Sequence, residues 1–129
     1  MSMKKITGLG GVFIKAKDPK ALAAWYQDAL GLAFNNNSYI DLPFTDEDGK
    51  ITPGYNVLSF FKADSNYFDP SDKQVMLNLR VHDLFNLLDE LKNKNVTVVG
   101  NPIYEEYGKF GWIMDPEGNK IELWQPPDK

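Results

Sequence analysis

The chain repeats itself. Ile14-Lys15-Ala16-Lys17-Asp18 and Leu79-Arg80-Val81-His82-Asp83 share one pattern of apolar, basic, apolar, basic and acidic residues. The copies lie 65 residues apart, about half of the 129-residue chain. A further match, Asn56-Val57-Leu58-Ser59-Phe60 with Lys120-Ile121-Glu122-Leu123-Trp124, falls at an offset of 64. A repeat of this length constrains the fold more than any local motif, because each half must form the same supersecondary unit.

Each copy introduces an amphipathic helix. Asp18 suits an N-cap, and Pro19 suits N1, where a missing N–H costs nothing. Leu22, Trp25, Tyr26, Ala29 and Leu30 keep helical spacing, and Gly31 closes the segment. The second helix begins at Asp83, carries Leu84, Leu87, Leu88 and Leu91 on one stripe, and ends near Asn93 and Asn95. Strands are expected over residues 6–16, then from Leu32-Ala33-Phe34 through an Asn35–Ser38 turn into 39–42, and over 55–62. Asp46-Glu47-Asp48-Gly49 reads as a turn, since a calcium loop needs a distal Glu and flanking helices. Residues 63–73 are polar and contain proline, the signature of a linker. A strand over 74–81, the helix over 83–93, a strand over 96–100 and a terminal hairpin follow. The hairpin turns at Pro116-Glu117-Gly118-Asn119, where Gly118 and Asn119 are expected to take positive φ. Each half is therefore β-α-β-β-β and the class is α+β. The expected division is module one at about 6–63, a linker at about 64–73 and module two at about 74–125, within one domain over 1–129.

Composition narrows the functions open to such a chain. There is no cysteine, which excludes disulfides, zinc–thiolate sites and thiol nucleophiles. A net charge of −4 argues against nucleic acid or an anionic membrane as partner. Met1-Ser2-Met3-Lys4-Lys5 precedes no apolar run of signal-peptide type, and no stretch approaches the length of a membrane span. The expectation is a soluble cytoplasmic domain with a frayed Pro126–Lys129 tail.

The tandem β-α-β-β-β pattern, the segment Trp25-Tyr26-Gln27-Asp28-Ala29-Leu30-Gly31-Leu32 and the terminal Asp115-Pro116-Glu117-Gly118-Asn119 leading to Glu122-Leu123 resemble the vicinal oxygen chelate superfamily. That group includes glyoxalase I, bleomycin-resistance proteins, fosfomycin-resistance enzymes and extradiol dioxygenases. The resemblance implies a curved mixed sheet shaped as a cup, with the helices on its outer face. Fold alone does not select among lyases, dioxygenases and sequestering proteins.

Strand alternation then sorts side chains between cup and helix. Val12, Ile14, Ala16, Leu77, Leu79, Val81, Val57, Ser59, Phe61, Ile121 and Leu123 are expected outside. Inside are Gly11, Phe13, Lys15, Asn56, Leu58, Phe60, Met76, Asn78, Arg80, Lys120, Glu122 and Trp124. Metal-dependent relatives carry ligands at four strand positions, which the resemblance places at Gly11, Leu58, Met76 and Glu122. Only Glu122 offers an oxygen ligand, so neither metal nor other cofactor is expected. His82 lies beside the helix cap and reads as structural.

What remains is a ligand pocket. Phe13, Leu58, Phe60, Met76 and Trp124 form its expected apolar lining, with Tyr107 and Trp112 from the terminal hairpin. Lys15, Asn78, Arg80 and Glu122 are its polar groups. Tyr104 also belongs to the expected rim. The leading expectation is a metal-independent small-molecule binding protein. The alternative is a lyase or isomerase resembling glyoxalase I, with Glu122 as metal ligand or base. A homodimer is expected, because Trp25 and Tyr26 give the first helix more aromatic area than one face needs.

Overall fold

A computed structural model describes residues 5–127, so Met1–Lys4 and the last two residues of the expected tail lie outside it. Nine elements follow in chain order: β1 (Ile6–Ala16), α1 (Pro19–Leu30), β2 (Tyr39–Thr45), β3 (Ile51–Lys62), β4 (Val75–Val81), α2 (Leu84–Asn93), β5 (Ile103–Glu105), β6 (Gly108–Met114) and β7 (Lys120–Gln125). The strands form one mixed, open, curved sheet in the order β2-β3-β1-β4-β7-β6-β5. The repeat is visible in the pairing. β1 lies parallel to β3, β4 lies parallel to β7, and the halves join where β1 and β4 run antiparallel.

Both helices start as the sequence expects. The Asp18 carboxylate accepts from the Ala21 N–H, Asp83 accepts from the Asn86 N–H, and Gly31 closes α1 at φ 76°. The buried stripe of α1 differs from the expected one. Ala23 is its buried residue, Leu22 and Tyr26 pack beside it, and Trp25 and Leu30 face outward at 57 % and 59 % exposure. α2 buries Leu84, Leu87 and Leu88 as expected.

Three local expectations fail for identifiable reasons. Leu32–Phe34 does not open a strand. Asn35 and Asn36 take left-handed φ of 54° and 69°, and Phe34 instead plugs the space between α1 and the sheet. Residues 96–100 make only a bridge, Val98 to Ile113, before Gly100 at φ 67° turns the chain away. In the last turn only Gly118 has positive φ. Asn119 serves through hydrogen bonds, its N–H and side-chain amide both donating to Asp115.

The sheet separates three apolar clusters. Val81, Leu123 and α2 form one, and Phe34, Phe60 and α1 form another, both on the outer face. The third lies inside the curve: Phe13, Phe68, Met76 and Trp112. Phe68 comes from the supposed linker and has no exposed surface. The segment that joins the modules thus sends Phe68 into one end of the cup, while most of its other residues stay exposed.

Candidate functional site

The curve of the sheet encloses a cavity of about 420 Å³ at the end that Phe68 leaves open. Module two supplies its polar floor. Asn78 and Glu122 are paired neighbours on β4 and β7, and both are buried, at 4 % and 2 % exposure. Strand alternation turns each toward the cup while Leu79 and Leu123 turn toward α2. Asn78 Nδ2 donates to Glu122 Oε2 at 3.0 Å, and Tyr67 Oη donates to Glu122 Oε1 at 2.6 Å. The Trp112 indole N–H also favours the charged carboxylate, although it completes no hydrogen bond. Burial is the larger influence, and it pushes the Glu122 carboxyl above the usual carboxylate range.

Lys120 lies beyond this pair on β7, its Nζ donating to the Tyr67 carbonyl at 2.8 Å. It also sits over the Tyr67 and Trp112 rings. Burial lowers its pKa. Tyr67 is therefore tied to β7 twice, through its hydroxyl and through its backbone. Its hydroxyl is pushed above the ordinary phenol value, first by burial and then by the Glu122 charge.

Module one supplies rings. Phe61 stacks on Tyr67 with centroids 5.4 Å apart, and Tyr55 meets Trp124 edge-on at 5.7 Å. Phe110 lies parallel to Trp124 at 6.3 Å, and the Trp124 indole N–H donates to the Tyr107 carbonyl. Tyr39, Asp41 and Tyr107 stand at the exposed mouth.

Of the expected site residues, the structure brings Phe13, Asn78, Tyr107, Glu122 and Trp124 to the cavity wall. Met76 and Trp112 are on the same face but buried behind the wall in the Phe68 cluster. Lys15 is displaced to the filled end, its Nζ over the Phe68 ring. Arg80 lies at the opposite end with its guanidinium over Trp124. Leu58 and Phe60 are corrected: both pack with Ala23 and Tyr26 against α1, on the outer face. Val57 and Phe61 take the inner positions instead. The cause is a slip of one residue. Phe13 pairs with Ser59, and its repeat equivalent Asn78 pairs with Glu122. The offset between β3 and β7 is therefore 63, not 64, and one residue of slip reverses every side chain.

Sequence reading missed Tyr67, Tyr39, Asp41, Tyr55, Val57, Phe61 and Phe110. For Tyr67 a signal existed, an aromatic pair at 67–68 inside a polar segment. The β2 residues carried none, since their placement depends on pairing with β3.

With the register corrected, the four strand positions that hold metal in related proteins are Gly11, Ser59, Met76 and Glu122. A side chain at Gly11 would strike the Val57 carbonyl. Met offers a soft thioether, and glycine offers no side-chain donor. This set does not fit a divalent ion. Among the described residues no three His, Cys, Asp or Glu side chains form a metal cluster.

A cup of two tandem modules with a site on its inner face defines the vicinal oxygen chelate class. The chain belongs to the family described as the glyoxalase-like domain, whose model matches residues 11–124. No curated protein matches it. Among solved structures it is similar to methylmalonyl-CoA epimerase from Mycobacterium tuberculosis, at 20 % identity and TM-score 0.65, covering 99 % of this chain and 93 % of that one. The Streptomyces coelicolor methylmalonyl-CoA epimerase in complex with 2-nitronate-propionyl-CoA matches at 18 % identity and TM-score 0.66, covering 95 % and 99 %. A glyoxalase/bleomycin resistance protein/dioxygenase superfamily member from Vibrio splendidus matches at 13 % and 0.60, covering 91 % and 98 %. At these identities the likeness is one of fold. No helix among the described residues is long and apolar enough to cross a membrane.

Proposed function

We propose that this chain is a metal-independent small-molecule binding protein. Its ligand has an apolar or aromatic body and a cationic or hydrogen-bond-donor group directed at Glu122. The observation that carries this reading is one buried carboxylate on the wall of an aromatic cavity. Aromatic walls supply burial at roughly 25 cal/mol per Å² and attract cations over their faces. A charge-assisted bond to Glu122 adds about 1.5–3 kcal/mol. A cationic ligand would also favour the ionised carboxylate, so its affinity should rise as pH climbs through the raised Glu122 value.

A thermal-shift screen of small amines, metabolites and amphipathic antibiotics tests this, followed by calorimetry on wild type and Glu122→Gln. The variant should bind the best hit about tenfold more weakly, a loss of about 1.4 kcal/mol. Equal affinity would remove Glu122 from the site.

A second reading has one observation in its favour. A buried carboxyl with an elevated pKa, next to a tyrosine hydroxyl, suits a general base in an isomerase. Wash-in of solvent deuterium at an acidic C–H of a bound acyl compound, lost in Glu122→Gln, would select it over simple binding. A homodimer is also proposed, supported by the exposed Trp25 and Leu30 on α1. Light scattering that shows only monomer at micromolar concentration would reject it.

A further inference from the structure

Three buried polar atoms on the cup face have no hydrogen-bond partner among the described residues: Asn78 Oδ1, the Trp112 indole nitrogen and Arg80 Nε. Lys120, Glu122 and the Asn78 amide nitrogen all have partners. Arg80 has none. It makes no hydrogen bond and no salt bridge among the described residues, and its buried Nε lacks an acceptor. Its guanidinium rests on the Trp124 ring, 5.4 Å from the centroid.

The backbone makes room for this placement. Arg80 follows Asn78 by two residues on β4, so its side chain leaves on the cup face. It crosses β1 at Gly10, where a Cβ would sit 3.1 Å from Arg80 Cγ and would collide with Asn78 Oδ1. It ends against Gly54 of β3, where a Cβ would lie 3.9 Å from Nη1. Gly10 thus leaves the room in which Arg80 crosses β1, and the guanidinium reaches as far as Gly54 of β3. A guanidinium with a rigid donor fork and no acceptor among the described residues matches an oxyanion supplied from outside. Asp41 at the mouth is the acidic neighbour. It and Arg80 both act on the Tyr55 hydroxyl, yet the two do not form an ion pair.

We infer that Arg80 is an oxyanion subsite at the open end of the cup, taking a carboxylate or phosphate on the ligand whose other pole meets Glu122. This deepens the binding reading above and rests on it. It makes the preferred ligand amphoteric, with a flat body between the two charged ends.

Three bicyclic probes separate the poles: tryptamine, indole-3-acetate and 1-naphthyl phosphate. Each is titrated into wild type, Arg80→Gln and Glu122→Gln, with binding read by NMR shift changes. Arg80→Gln should weaken indole-3-acetate, 1-naphthyl phosphate or both by tenfold or more, and should leave tryptamine within twofold. Glu122→Gln should show the reverse pattern. The two anions decide between carboxylate and phosphate by which one depends more on Arg80. Unchanged tryptamine affinity in Arg80→Gln also shows that the cup still folds. Should the anions bind wild type and Arg80→Gln equally, or fail on wild type where tryptamine binds, the subsite is wrong and the Glu122 reading stands. If no probe binds wild type, both are overturned.

Discussion

The two modules share a register and differ in chemistry. Phe13 pairs with Ser59 in module one, and Asn78 pairs with Glu122 at the equivalent place in module two. On the first pair the cup is packed, with Phe13 inside the Phe68 cluster. On the second it is polar, with a buried carboxylate held by two donors. The same fold thus gives one wall that stabilises and one that can recognise. Polar burial is costly unless hydrogen-bonded, and the donors to Glu122 lie at this second pair. The loop joining the modules supplies one of them, Tyr67, and so belongs to the second wall more than to either boundary.

The largest expected effect tests whether that loop is part of the core. Phe68→Ala should cost about 3–5 kcal/mol, as for other fully buried aromatics, measured by urea unfolding. A loss below about 1 kcal/mol would return residues 63–73 to the status of a tether.

Tyr67→Phe should cost less, about 1–3 kcal/mol, because it leaves a buried acceptor on Glu122 one donor short. It should also raise the Glu122 pKa further, seen in the carbon-13 titration of the side-chain carboxyl. An unshifted titration would mean that the hydroxyl does not hold the carboxylate.

Glu122→Gln should alter the pH dependence of stability more than its size. The folded carboxyl binds its proton more tightly than the unfolded one. The folded state is therefore favoured fully below the ordinary carboxylate range, and that advantage fades as pH rises to the raised value. Glutamine cannot ionise, so the variant should gain stability relative to wild type across that interval and then hold it. Parallel curves would show that Glu122 titrates normally.

The smallest effect belongs to the matching position in module one. Ser59→Ala should change stability by no more than about 0.5 kcal/mol, with ligand affinity unchanged. A loss comparable to that of Glu122→Gln would abolish the proposed asymmetry.

Much of the fold was legible because its signals are local. Asp18 and Asp83 cap helices by residue type, and Gly31 ends one by its freedom at positive φ. The inner and outer faces of β4 and β7 follow from alternation, which put Asn78, Glu122 and Trp124 in the cup. β3 was read on the wrong face because Val57, Leu58, Phe60 and Phe61 are apolar on both sides. One side covers the cavity and the other packs on α1, so hydrophobicity does not alternate there. Tyr67 and Phe68 were hidden for a different reason. Their contacts reach partners far along the chain, Glu122 among them, and a polar segment carries no periodicity that announces them.

The most direct test of the central claim is a crystal structure with the tightest ligand from the thermal-shift screen. The account predicts that ligand inside the cup, its cationic or donor group within hydrogen-bond distance of a Glu122 carboxylate oxygen, with the aromatic body against Tyr55 and Trp124. A ligand seated elsewhere, or a metal ion coordinated by Glu122, would contradict it.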